Sequence, residues 1–297
     1  MTTLVLGAHG RVGSILVQRL QEAGYPVIAW GRTDCDFNCP ENVEHLIRSN
    51  PADVVVNCAA ISSIEACFDD IITAHNVNVM SPEVIAHVCA QEGKHFIHLS
   101  TDYVLDGRRP GLKDESSKCK PINIYGESKW EAEMRISEAY PQALIARVSW
   151  VFGNPKRPSF PESILNRIIQ GEALKVISDK FSMPTSVDEL ADWLILFSQA
   201  GDQMPSGILH LCQSGDPVSW ADYARAVIEI ATDLGLNIKT RELSEQKLDE
   251  QSGFRDARPR HTAMSSAQLA SVLKHPITHW KEALRNNFIK HYSKTST

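Results

Sequence analysis

Thr3-Leu4-Val5-Leu6-Gly7-Ala8-His9-Gly10-Arg11-Val12-Gly13 is the stretch that decides the fold of this chain. A short apolar run, right for a buried strand, passes directly into a glycine-rich turn, and the turn opens an amphipathic stretch that runs from Arg11 to Gly24. In such a strand–turn–helix, Gly7 permits the tight turn, Gly10 lets backbone N–H groups approach a pyrophosphate, and Gly13 lets the helix pack closely on the strand. The helix N-terminus adds a partial positive charge. The spacing is GxxGxxG, one residue wider than the common GxGxxG, and the flanking strand and helix supply the context that a dinucleotide fingerprint requires.

Outward from this turn the first half of the chain repeats the same alternation. TLVLG, YPVIAW, ADVVVNCAA, HFIHLS and ALIARVS read as successive strands, and Arg11–Gly24, Pro40–Asn50, Ile71–Gly93 and Tyr125–Tyr140 read as the helices between them. That pattern predicts an α/β fold, a Rossmann-type doubly wound parallel sheet with a smaller C-terminal substrate-binding lobe. The expected division is 1–152 for the nucleotide-binding domain and 153–297 mainly for the substrate lobe. The helical run from Val187 and the strand-like GILHLC are expected to return to the first domain, near 186–212. The polar tail HYSKTST is expected to fray.

Composition narrows the function. The chain has 297 residues, 43% of them hydrophobic and 22% charged, with a net charge of −6, which fits a folded protein and argues against nucleic acid as a main partner. No apolar run approaches the ~18–20 residues of a membrane span, so a cytoplasmic protein without a membrane partner is expected. Seven scattered cysteines point to a reducing compartment. Cys35 and Cys39 lack a second Cys or His pair at ligand spacing, and no metal is predicted.

The chemistry-bearing residues lie downstream. Tyr125 and Lys129 stand four apart in IYGESKWEAE and so share one helix face. An ammonium near a phenol favours the phenolate, which suits the pair to proton transfer near neutrality, and the same ammonium can bind ribose hydroxyls. Ser100-Thr101-Asp102-Tyr103 ends the fourth strand, at the sheet edge where ligands bind, and a hydroxyl there can polarise a carbonyl. After the second strand, Arg32 offers a cation to a 2′-phosphate, which points to NADPH ahead of NADH. Asp36 and Phe37 are candidates for the adenine end. His9, His95 and His98 are read as exposed or structural, and Trp220 through Ile230 as core helix. Arg255, Arg258 and Arg260 offer cations to a diphosphate but suit a solvated loop equally well.

With these motifs in register, the chain resembles the extended short-chain dehydrogenase/reductases and, within them, the dTDP-4-dehydrorhamnose reductase family. GAHGRVG, VNCAA, STDYVLDG, YGESKWEAE and RVSWVFG carry the resemblance in the first half, and DKFSMPTS, GILHLCQSGDPVSWADYA and ARPRHTAMSSAQL carry it in the second. It implies NAD(P)H-dependent reduction of the 4-keto group of a nucleotide sugar, with dTDP-4-dehydro-L-rhamnose the expected substrate and a homodimer a possible assembly. It implies that Tyr125 protonates the keto oxygen, Lys129 orients the cofactor ribose and Thr101 completes the triad, with Asp102 and Trp150 at the substrate. Gly10, Arg11 and Val12 would touch the pyrophosphate, while Ala59 and Ala60 would line the cofactor path. The chain departs from the reductases at Ile61-Ser62-Ser63-Ile64-Glu65-Ala66-Cys67, where they carry an aromatic or His, then Thr. The resemblance also extends to the regulatory beta subunit of methionine adenosyltransferase, which makes an NADP-binding partner protein the alternative; a reductase or epimerase of another nucleotide sugar would share every motif.

Overall fold

The structure, a computed structural model, describes residues 1–292. Its centre is a six-stranded sheet built from β1 (Thr3–Leu6), β2 (Val27–Trp30), β3 (Val54–Asn57), β4 (His95–Thr101), β5 (Leu144–Val148) and β10 (Gly207–His210). The order is β10-β5-β4-β3-β1-β2, with every neighbouring pair parallel. Parallel pairing needs a crossover at each step, here supplied by α1 (Arg11–Glu22), α2 (Pro40–Ser49), a helical run after β3, α6 (Ile124–Ala139) and, between β5 and β10, a longer excursion that ends in the helix over Val187–Ser198. The run comprises α3 (Ile64–Asp69), α4 (Ile71–His75) and α5 (Ser81–Glu92), the last two joined by a π turn over Asn76–Met80.

The side-chain alternation of each strand feeds two different cores. Leu4, Leu6 and Val55 face the layer of α2, α5 and α6, whereas Val5, Val54 and Val56 face α1 and α8 (Val187–Ser198). Because both faces are covered, these strands read as continuous apolar runs. The segment GILHLC does return to this sheet, where β10 pairs with β5 in register Gly207↔Leu144.

The remaining elements surround a third core. They are β6 (Val151–Phe152), α7 (Phe160–Gln170), β7 (Leu174–Ile177), β8 (Phe181–Ser182), β9 (Thr185–Ser186), β11 (Val218–Ser219), α9 (Trp220–Asp233), β12 (Leu243–Gln246) and α11 (Trp280–Tyr292), while α10 (Ala267–Leu273) joins the sheet core beside α1 and α8. Tyr223 sits at the middle of an aromatic cluster with Trp150, Phe152, Phe160 and Trp280, all with ring centroids within 6.2 Å. The tail expected to fray falls on 293–297, outside the described residues.

Candidate active site

The chain order reverses direction across the sheet between β1 and β3, and the crevice at such a point, outside the carboxyl ends of the strands, is where open α/β sheets bind ligands. The two βα turns meet there. Gly7 has φ +72°, and a Cβ on it would lie 2.7 Å from the Ala59 nitrogen, so only glycine lets the turns approach. Gly13 packs more tightly still: its Cβ would fall 2.3 Å from the Gly7 carbonyl oxygen. Gly10 caps α1 without a side-chain acceptor, and the first turn carries no acidic residue. The amides at that helix end are therefore left for an anion, which fits the pyrophosphate of a dinucleotide.

Arg11 is engaged elsewhere as well. Its guanidinium donates to the carbonyls of Arg157 and Pro158 at 3.0 and 3.2 Å, and its own carbonyl accepts from Asn154 Nδ2 at 2.8 Å. These bonds tie the 154–158 loop to the glycine turn. Arg32 is exposed just beyond β2, and the Asp34 carboxylate accepts from the Gly31 amide at 2.8 Å. Asp36 is exposed and Phe37 buried, with the Phe37 carbonyl accepting from Ser81 Oγ at 2.6 Å. Ala59 and Ala60 are half-buried beside the turn. After β3, Asn78 in the π turn holds Ile61 by both backbone groups (2.9 and 3.0 Å) and donates to Ser128 Oγ on α6 at 3.1 Å. A π turn buried between helices thus fixes the floor of the crevice.

Tyr125 and Lys129 both project from α6, whose start is fixed by Asn123, the side chain of which accepts from the Gly126 amide at 2.7 Å. Burial pushes the Tyr125 phenol above its ordinary value, and the neighbouring Thr101 hydroxyl works in the other direction. Burial therefore keeps the phenol protonated, in the form that donates a proton. Lys129 is 1% exposed, and burial brings its ammonium down to about 8. Its Nζ lies 2.7 Å from His98 Nε2 and is turned to that ring.

Asp102 is buried beneath the triad. Its carboxylate accepts from Thr101 Oγ1 at 3.2 Å, from Ser182 Oγ at 2.8 Å and from the Thr262 hydroxyl. Burial raises its pKa, against the pull of the nearby Lys180 ammonium. Lys180 donates to the Pro259 carbonyl at 2.8 Å and lies 4.8 Å from the Tyr103 ring centroid. Burial takes Lys180 down to about 8. Trp150 stacks on Tyr223 at 6.1 Å, and its backbone is held at φ +42°, a conformation costly for a bulky residue. The indole packs against the third core. Arg255 and Arg258 are paired to Asp69 and Glu65 on α3, and Arg260 to Asp179 and Asp249.

Sequence reasoning read His98 as a structural histidine, which it is in being buried and hydrogen-bonded, but did not single out its partner Asn57, nor Lys180. The register pairs Asn57 with His98 across β3 and β4, a neighbour relation that exists only once the strands are aligned. Lys180 immediately precedes β8 and is distant in sequence from Asp102, Tyr103 and Pro259, which it approaches.

The family model described as RmlD substrate binding domain matches residues 1–293. The chain belongs to that family. It is 32% identical over 283 residues to the spore coat polysaccharide biosynthesis protein SpsK of Bacillus subtilis, covering 95% of each. It is 30% identical over 287 residues to the dTDP-4-dehydrorhamnose reductase of Mycobacterium tuberculosis, covering 95% of this chain and 90% of that one. Among solved structures, a dTDP-4-dehydrorhamnose reductase of Clostridium acetobutylicum superposes with a TM-score of 0.86 at 25% identity, covering 97% and 98% of the two chains. The reductase of Bacillus anthracis, solved with NADP, shares the fold with a TM-score of 0.87 at 23% identity. As an RmlD-family chain, this protein carries its fingerprint turn, Thr101, Tyr125 and Lys129 on one sheet edge.

Proposed function

We propose that this protein is an NAD(P)H-dependent reductase of the 4-keto group of a nucleotide sugar, with dTDP-4-dehydro-L-rhamnose as substrate. The observation that carries the reading is the placement of Thr101, at the end of β4, and of Tyr125, one helical turn from Lys129 on α6, at the same sheet edge as the uncapped N-terminus of α1. The bound nicotinamide supplies the hydride. Thr101 and Tyr125 hold the keto oxygen, and Tyr125, protonated at rest, delivers the proton that balances the hydride. Lys129 orients the cofactor ribose. The first-turn amides of α1, with Arg11 and Val12, hold the pyrophosphate, Ala59 and Ala60 line its path, and Asp36 and Phe37 serve the adenosine. Arg32 supports NADPH over NADH, since an exposed guanidinium at the end of β2 suits a 2′-phosphate. Asp102 shapes the substrate end from below, and Trp150 closes it.

We also read 1–152 with the returning segments near 186–212 as the cofactor half, and most of 153–297 as the substrate half. Exposed Phe68, Ile71 and Ile72 on α3 and α4 support a homodimer, testable by light scattering. Free thiols at all seven cysteines support a cytoplasmic setting, and among the described residues no helix is long and apolar enough to cross a membrane. The deciding experiment follows NADPH and NADH absorbance with the purified protein and dTDP-4-dehydro-L-rhamnose, next to other 4-keto nucleotide sugars. Oxidation with the rhamnose precursor supports the reading. Cofactor binding with no turnover on any keto sugar overturns it in favour of an NADP-binding partner protein.

A further inference from the structure

Three hydrogen bonds run in series behind Lys129. The Ala59 amide donates to Asn57 Oδ1 at 2.9 Å, Asn57 Nδ2 faces His98 Nδ1 at 3.2 Å, and His98 Nε2 faces Lys129 Nζ at 2.7 Å. The first bond fixes the orientation of the Asn57 amide, because only its oxygen can accept from a backbone N–H. Its NH₂ group then points at His98 and can only donate, so His98 Nδ1 must accept. A neutral ring with a bare Nδ1 carries its proton on Nε2. That proton points at Lys129, and an N–H cannot share a hydrogen bond with an ammonium. The full series is therefore satisfied only when Lys129 is a free amine accepting from His98.

The surroundings agree. The His98 ring is fully buried and held neutral, first by burial and then by the Lys129 charge. The groups facing Lys129 are Glu133 from α6, Cys67 from α3, Cys58 after β3, and His98 from β4. Burial pushes the two thiols up to about 11 and about 12, so neither supplies an anion near neutrality. Glu133 is committed to Arg147, at 2.9 and 2.6 Å, and to Ser100 Oγ at 2.5 Å. A Lys129 ammonium, 1% exposed, has no anion of its own.

We propose that Asn57 and His98 are positioning residues that couple the protonation of Lys129 to the tautomer of the His98 ring. When Nζ gives its proton to solvent, the ring proton moves from Nδ1 to Nε2 and the Asn57 bond closes. When Nζ takes a proton, the ring proton returns to Nδ1 and that bond opens. The ring stays neutral throughout, and the net change is one proton. The pair thus lowers the proton affinity of Lys129 and ties it to the Ala59 turn. The inference rests on the proposed function only for its catalytic consequence, a tuned lysine beside Tyr125.

The test reads the His98 ring nitrogens by ¹⁵N NMR in the cofactor-free protein across pH, with His98→Gln to assign the signals. In the wild type the ring is expected to pass from the Nδ1–H to the Nε2–H tautomer as pH rises through the Lys129 titration. In Asn57→Asp a carboxylate accepts from Nδ1–H, so that tautomer should persist and the midpoint should move up by about one pH unit or more. In Lys129→Met, which preserves the stem of the side chain, the ring should be Nε2–H at every pH, and this variant serves if Asn57→Asp does not fold. An Nδ1–H ring at all pH values in the wild type, a switch unchanged in Asn57→Asp, or an Nδ1–H ring in Lys129→Met would each overturn the proposal. The readout needs no turnover, so a protein inactive on keto sugars would still show the switch or lack it.

Discussion

The buried ion pair between Glu133 and Arg147 predicts how firmly the catalytic helix is held. Glu133 lies one turn beyond Lys129 on α6, and its side chain is 2% exposed against 1% for Arg147 on β5. Its two carboxylate oxygens accept from Arg147 Nε and Nη2, and one of them also from Ser100 Oγ on β4. Truncation to alanine removes all three bonds and leaves a guanidinium in the core whose other neighbours are Cys119 Sγ and His210 Nε2. Leaving one partner of such a pair unpaired costs about 3–5 kcal/mol. At an unfolding entropy of about 2.1 cal/mol/K per residue, that loss lowers the melting temperature of a chain this long by roughly 5–8 °C. Calorimetry of Glu133→Ala measures it directly. The double variant Glu133→Leu with Arg147→Met should recover most of the loss, because an apolar pair of similar volume needs no solvation. Turnover should fall further than folded fraction explains, since α6 loses its tie to β4 and β5. If Glu133→Ala unfolds within 1 °C of the wild type, or the double variant is worse than the single, the claim that this pair anchors α6 is wrong.

Gly13→Ala places a methyl group against the Gly7 carbonyl and should cost about 1–3 kcal/mol of stability while weakening NADPH binding at least tenfold, as measured by thermal shift and by titration calorimetry. Tyr125→Phe removes the proton donor and little volume, so kcat should fall by about 10²–10⁴-fold with NADPH affinity near that of the wild type; near-normal kcat would remove Tyr125 from the mechanism. His210, fully buried, is brought down to about 3 by burial and by the Arg147 charge. Its folded pKa lies below the unfolded value of about 6.5, so the unfolded chain binds the extra proton in acid. The stability it contributes is whole above about pH 6.5 and is lost progressively down to about pH 3, at up to about 1.4 kcal/mol per pH unit. Urea titrations at several pH values should show that slope diminished in His210→Gln.

What the sequence determined by itself was whatever depends on neighbours along the chain. The strand–turn–helix at Gly7–Gly13, the alternation of strands and helices, and the i, i+4 spacing of Tyr125 and Lys129 are local patterns, and local backbone geometry turns them directly into elements and faces. The return of the chain to the sheet at β10 was legible from the short strand-like run GILHLC. The helix expected over Ile71–Gly93 proved continuous with a π turn, whose extra residue leaves no mark in apolar periodicity. Tertiary structure alone decided who faces whom across elements. His98 reads in sequence as one polar residue in a strand, and only the parallel register of β3 and β4 sets Asn57 beside it, with α6 bringing Lys129 over it. The same holds for Lys180 near Asp102 and for Trp150, whose left-handed backbone is tolerated because the aromatic cluster packs against its ring. Contacts between residues far apart in the chain follow from how whole layers pack to bury their apolar faces, and that packing is a property of all the elements together.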